Sequence, residues 1–257
     1  EKPFGIDEVS AREMATLLSE SFDETQLYRI DHYLAKEMAQ NIIAFRAGNA
    51  MFAHMWNHDI IDRVEIDAIE KIDIEGRGEF YEQTGAMRDV MQGHLMQLLS
   101  LVLCDLPEDL TWPSMPRLRA RALSKIAPVL PQESIRAQYE GYDEEVKNPG
   151  SRTETFVSVE LHSDDPRWQG VELRLTTGKS LDEKTTEVRL YTKPTLTGDA
   201  NMLRFRIQPD ESVELTVYSK KPGYLREFEL RSLDFSYPEN ERLPDAYEQV
   251  LVDAMRS

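Results

Sequence analysis

The chain has 257 residues, enough to bury a substantial core in one large domain or in one domain and part of another. Its 47 acidic and 30 basic side chains give a formal charge of −17, which repels nucleic acid and anionic membranes and excludes both as partners. Any anionic substrate must therefore be held by a local basic cluster working against the overall field. The single cysteine, Cys104, excludes an internal disulfide and a cysteine-built zinc site, and suits a reducing, cytoplasmic setting. No stretch is apolar for long enough to span a bilayer, and no signal peptide is visible. The sequence opens at Glu1 without an initiator Met and reads as a fragment.

Residues 1–5 form a turn-like opening around Pro3 and Gly5. Residues 7–21 read as an amphipathic helix with Ala11, Met14, Leu17 and Leu18 as ordinary core positions. The next stretch, Tyr28-Arg29-Ile30-Asp31-His32-Tyr33-Leu34-Ala35-Lys36-Glu37, crowds ionisable groups into one helix entry. Asp31 is an N-cap, and His32 and Lys36 stand four apart on one face of the first turns. Free N–H groups and the dipole there would suit a phosphate monoester; a capped helix with a solvated His/Lys edge is as good a reading of these ten residues alone. The helix is expected to run over residues 32–47 and to bury Leu34, Met38, Ile42 and Phe45. A shorter one passes through Phe52, Met55 and Trp56. His54 and His58 on it have a metal-compatible spacing but no third ligand, and read as surface histidines.

Residues 64–70 alternate Val64, Ile66 and Ala68 against polar neighbours and read as a strand. The glycines at 76 and 78 lie in a loop and do not make a dinucleotide fingerprint. Met87, Val90, Met91, Leu95, Leu98, Leu99 and Val102 read as one long buried helix interrupted by Asp89 and His94. By pattern alone a histidine in that place is more often a hydrogen-bonded core residue than a catalytic one. A proline-containing connector at 106–116 leads to a short basic helix with Arg117, Arg119, Arg121 and Lys125, read as a solvated face. Residues 139–152 read as an exposed loop. After residue 153 the texture becomes extended: segments 156–161, 171–176, 187–191, 203–208, 213–218 and 228–235 alternate apolar and polar residues. Five to seven such runs make a large, mainly antiparallel sheet with one face under the helices and the other solvated or paired with another subunit. Gly178-Lys179-Ser180 lacks the upstream glycine of a P-loop.

Several of these stretches carry a resemblance to a known family. Arg29 to Glu37 is similar to the glucose-6-phosphate dehydrogenase signature Arg-Ile-Asp-His-Tyr-Leu-Gly-Lys-Glu, with Ala35 replacing the glycine. Arg88 to Gln97 resembles that family's Arg-Asp-Met-x-Gln-Asn-His-Leu-x-Gln, with Gly93 replacing the asparagine. Glu1-Lys2-Pro3, Gln138-Tyr139-Glu140-Gly141-Tyr142, Gly178-Lys179-Ser180-Leu181, Arg206-Ile207-Gln208-Pro209 and Leu243-Pro244-Asp245-Ala246-Tyr247-Glu248 extend the resemblance over essentially the whole chain.

The resemblance implies an α+β fold, with helices on one face of a large, mainly antiparallel sheet, preceded by the last piece of a Rossmann-type coenzyme domain. Residues 1–30 would be that piece, and residues 31–257 an incomplete substrate-binding and dimerisation domain. The implied reaction oxidises glucose 6-phosphate at C1 to the lactone, with hydride passing to NADP or NAD bound mostly by a domain outside this chain. His94 would be the general base and Asp31 its supporting carboxylate. His32, Tyr33, Lys36, Lys179 and Lys184 would bind the phosphate, Glu70 and Asp89 the sugar hydroxyls, with Gln208 near the substrate. Lys2 would reach both substrate and coenzyme. A homodimer or homotetramer through the sheet is implied. Arg189 and Arg206 match parts of a second, structural NADP site, but Thr185 stands where a lysine belongs, so no second nucleotide is expected. Without a complete coenzyme domain the chain is expected to be inactive. The alternative is a non-catalytic sugar-phosphate-binding or dimer-scaffold module, which an upstream start codon close to Glu1 would favour.

Overall fold

The alternation around Ile66 places β1 (Ile61–Ile69) in the middle of a sheet whose strand order is β2-β3-β4-β1-β5-β6-β7-β8. A computed structural model describes residue 5 and residues 7–196, 198–237 and 244–256. The other strands are β2 (Ser134–Ala137), β3 (Phe156–Leu161), β4 (Glu172–Gly178), β5 (Thr185–Thr192), β6 (Met202–Gln208), β7 (Ser212–Lys220) and β8 (Phe228–Ser236). Only β1 and β4 run parallel, with Ile66 opposite Leu175; every other neighbouring pair is antiparallel. The six strands after residue 153 are the ones the alternation predicts. β2 escapes that reading because its four residues are too few to show a period, and only Ser134 is partly covered.

One face of the sheet is apolar. Val64, Ile66, Leu173, Leu175, Val188, Leu190, Leu203 and Phe205 are buried there against Met38, Ile42 and Ile43 of α3 (Glu37–Gly48) and Leu98, Leu99 and Val102 of α6 (Met96–Leu103). The opposite face interleaves charges. Arg189 reaches Glu65 at 3.0 Å and also pairs with Asp67, and Arg204 pairs with Glu214. The expected layer of helices on one side of an antiparallel sheet is thus present.

Several local expectations are corrected. The helix over residues 32–47 is two helices, α2 (His32–Ala35) and α3, broken where Lys36 adopts extended backbone at φ −67° and ψ 133°. The Lys36 carbonyl instead accepts the N–H groups of Ala39 and Gln40 and so starts α3. A four-residue α2 has no appreciable dipole to offer a phosphate, contrary to the helix entry expected at Asp31. α4 (Ala50–Ala53) ends before His54, so His54 and His58 share no helical face. The long buried helix is likewise composite. α5 (Gly78–Ala86) is kinked at Gly85, a π-helical segment spans Met87–Leu95, and α6 follows.

Residues 139–152 are not a simple exposed loop, because α8 (Tyr142–Glu145) buries Tyr142 in a small second core with Ile74 and Tyr81. On α7 (Met115–Leu123), Arg119 turns inward and donates to Gln97 Oε1 at 2.8 Å, unlike the solvated face expected of it. Asp7 caps α1 (Glu8–Ser21), but no residue of that helix is buried and Leu17 is 65% exposed, so its stripe is not core among the described residues.

Candidate active site

Asp31 does two things with one oxygen. Its Oδ1 accepts the Tyr33 N–H at 2.9 Å, which starts α2, and lies 2.9 Å from His94 Nδ1. An ionised carboxylate only accepts hydrogen bonds, so the imidazole proton sits on Nδ1 and Nε2 is left as the basic nitrogen. Both side chains are largely shielded, at 14% and 16% exposure, which strengthens the interaction relative to water. The Tyr33 ring stacks on the His94 ring with centroids 4.4 Å apart and planes at 10°. His32 meets the same imidazole edge-on at 4.7 Å.

The backbone that carries His94 is unusual. Gly85 has φ 62° and ψ 176°, a left-handed position, and a Cβ there would come within 2.6 Å of the Glu154 carboxylate. The Glu154 side chain accepts the Met87 N–H at 3.1 Å and so caps the π-helical segment, whose wider turn sets the relative positions of Asp89 and His94. Periodicity could not reveal this, because the apolar residues continue through the π turn.

A basic group adjoins the pair. The break at Lys36 sends its side chain to the end of β6, where Nζ donates to Gln208 Oε1 at 2.7 Å, and Gln208 Nε2 donates to Thr186 Oγ1 at 3.1 Å. Burial lowers the Lys36 pKa; Glu211 and Asp245 oppose this, and Lys184 adds to it from its exposed loop. Burial pushes the Tyr33 phenol up to about 12, with Thr186 beside it opposing the rise, so it stays a neutral hydrogen-bonding group. Lys179 is buried and ion-paired with Glu70 just beyond β1. Asp89 is raised above the ordinary carboxyl value by burial, against the pull of Lys179, Arg77 and His94.

The structure therefore gathers Asp31, His32, Tyr33 and His94 into one cluster and links Lys36 to Gln208 and Lys179 to Glu70. It sets Asp89 within electrostatic reach of both Lys179 and His94. Lys184 stands at the rim. Lys2 and Leu243 lie outside the described residues. Tyr247, on α9 (Ala246–Arg256), stacks on His32 with centroids 5.8 Å apart and planes at 10°; the sequence assigns it no role beyond its place in a motif of the resemblance. Its place inside that motif was the signal.

Asp89 gives a stability test. In the fold it holds its proton more tightly than in the unfolded chain, so ionisation costs stability. That cost sets in as the pH rises from about 4 through the raised folded value. Asp89→Asn, permanently neutral, is expected to raise the unfolding midpoint by calorimetry at about pH 8 and to lose that advantage near pH 4. Equal changes at both pH values would contradict this account.

Comparison with known proteins adds a family context. Residues 43–257 match the family model described as "Glucose-6-phosphate dehydrogenase, C-terminal domain", and residues 1–41 match "Glucose-6-phosphate dehydrogenase, NAD binding domain". A Dictyostelium discoideum protein named glucose-6-phosphate 1-dehydrogenase is 41% identical over 275 residues, covering 100% of this chain and 55% of the relative. A Solanum tuberosum protein named as a cytoplasmic isoform of the same enzyme is 35% identical over 268 residues, covering 100% of this chain and 52% of the relative. A solved structure described as glucose-6-phosphate dehydrogenase in complex with its substrate glucose-6-phosphate superposes with a TM-score of 0.93 at 33% identity. That match covers 99% of this chain and 56% of the other. The chain thus spans about half the length of the curated relatives it matches.

Proposed function

The chain belongs to the glucose-6-phosphate dehydrogenase family, and on that premise we propose that it forms the substrate half of an enzyme oxidising glucose 6-phosphate at C1. The observation that carries this reading is the shielded Asp31–His94 pair, set beside His32, Tyr33 and Lys36. His94 Nε2 takes the proton of the C1 hydroxyl as the C1–H bond gives up a hydride, and the electron pair of the O–H bond becomes the lactone carbonyl. Asp31 orients the ring and stabilises the imidazolium that forms. NADP or NAD supplies the hydride acceptor. The described residues contain no glycine-rich turn between a strand and a helix, so we assign most of its binding to a coenzyme domain outside them.

Lys36, His32, Tyr33, Lys179 and Lys184 are the proposed phosphate ligands, with Gln208 fixing Lys36; Tyr247 joins them by its stacking on His32. Glu70 and Asp89 are the proposed acceptors for sugar hydroxyls. Lys2 is proposed to bridge to the coenzyme. With these go the division at residues 30 and 31, a homodimer or homotetramer through the charged sheet face, and a cytoplasmic setting. Among the described residues no helix is long and apolar enough to cross a membrane.

The test is calorimetric titration of the chain with glucose 6-phosphate, with glucose and inorganic phosphate as controls. Saturable binding of the sugar phosphate is expected. Lys36→Ala should weaken it about 10- to 100-fold, the worth of a hydrogen bond to a charged group. Failure of a folded chain to bind, or equal binding of glucose, would refute the assignment. A non-catalytic sugar-phosphate module would need Lys36 but not the Asp31–His94 pair.

A further inference from the structure

Three residues of the proposed active site also form a ligand set that the oxidation itself does not use as one. Asp31, His32 and His94 each present one donor atom, and the three donors lie within 4.8 Å of one another. We propose that this triad is a binding site for a borderline divalent cation of the zinc class, which occupies it in place of substrate. Two imidazole nitrogens and one carboxylate oxygen form a set that zinc accepts at about 2.0–2.2 Å, leaving a fourth position for water. Tetrahedral ligands at that radius sit roughly 3.3 Å apart, so donors now up to 4.8 Å apart close by at most about 1.5 Å, a movement shared between the side chains of each pair.

Asp31 is suited to the role independently of its distance. Its Oδ2 is buried and accepts no hydrogen bond from the described residues, while Oδ1 is held by the Tyr33 N–H and His94. A shielded carboxylate oxygen without a donor is stabilised by a cation that brings its own charge. Stacking between Tyr33 and His94 and between His32 and Tyr247 limits the ring orientations, so little freedom remains to be lost on binding. The mixed nitrogen and oxygen set discriminates against magnesium, which favours oxygen ligands and keeps its waters. The exposed His54 and the half-exposed His58 share no helical face, which removes the pair that spacing alone suggests. Binding of the cation does not rest on the proposed dehydrogenase activity; only its consequence, exclusion of substrate from His94, does.

The probe is zinc ion alone, titrated into the protein in competition with a chromophoric chelator, with magnesium as the control. One equivalent of zinc is expected to bind. His32→Ala and Asp31→Asn should each weaken it at least about tenfold, since loss of a direct ligand costs no less than loss of a residue that merely orients one. His54→Ala and His58→Ala should leave the affinity unchanged. Far-ultraviolet circular dichroism checks the fold of every variant. Cobalt(II) absorption in the wild-type protein provides a second readout, with the intense bands of low coordination expected and expected to vanish in His32→Ala. Absence of saturable zinc binding, zinc binding unchanged by His32→Ala, or cobalt bands that persist in that variant would overturn the proposal.

Discussion

His94→Asn is expected to lower the turnover number by about 10²- to 10⁴-fold, the range contributed by a positioned general base. The assay joins the chain to a complete coenzyme domain of the family. Asparagine preserves much of the shape and can still meet Asp31 Oδ1, but it offers no basic nitrogen where Nε2 stands. The KM for glucose 6-phosphate should change far less than kcat, because Lys36, Gln208 and Tyr33 remain in place. Asp31→Asn should fall in the same range, since an amide can donate as well as accept and no longer fixes the proton on Nδ1. The double variant should be scarcely worse than either single one, as is usual for groups that act as a unit. A kcat within threefold of the parent in His94→Asn would remove the histidine from the reaction and leave the binding-module reading.

Phe205→Ala is expected to cost roughly 3–5 kcal/mol of stability, measured as a lower urea midpoint at unchanged slope. Phe205 is fully buried on β6, with Phe45 meeting it edge-on at 5.4 Å and Trp56 at 6.5 Å. Deleting the ring leaves a cavity in the layer between α3 and the sheet, where both walls are regular elements that cannot easily collapse. The same interface carries Lys36 at the start of α3 to Gln208 at the end of β6, so weaker glucose 6-phosphate binding should accompany the loss. Phe235→Ala is the control: the residue is 49% exposed on β8, and its truncation should cost far less. A loss below about 1 kcal/mol at Phe205 would mean that the helix layer is not anchored there.

The strands after residue 153 were legible from residue order alone, because one face of the sheet is buried and a period of two is the direct imprint of that burial. So was the cap at Asp31, since capping is a contact within a few residues. The composition of the site was legible through motifs, as residue types rather than as geometry.

Other features are set by partners distant in the chain and become visible only once the chain is folded. The break at Lys36 carries its ammonium to Gln208, 172 residues away, and nothing in residues 32–47 announces it. The π-helical segment begins where Glu154, 67 residues away, accepts the Met87 N–H, while its apolar spacing looks like that of an ordinary helix. The parallel pairing of β1 with β4, the inward turn of Arg119 and the stacking of Tyr247 on His32 have the same origin. Local periodicity records which side of an element is buried. It carries no record of which distant group does the burying, and in this protein those distant groups bring Asp31, His32 and His94 within reach of one another.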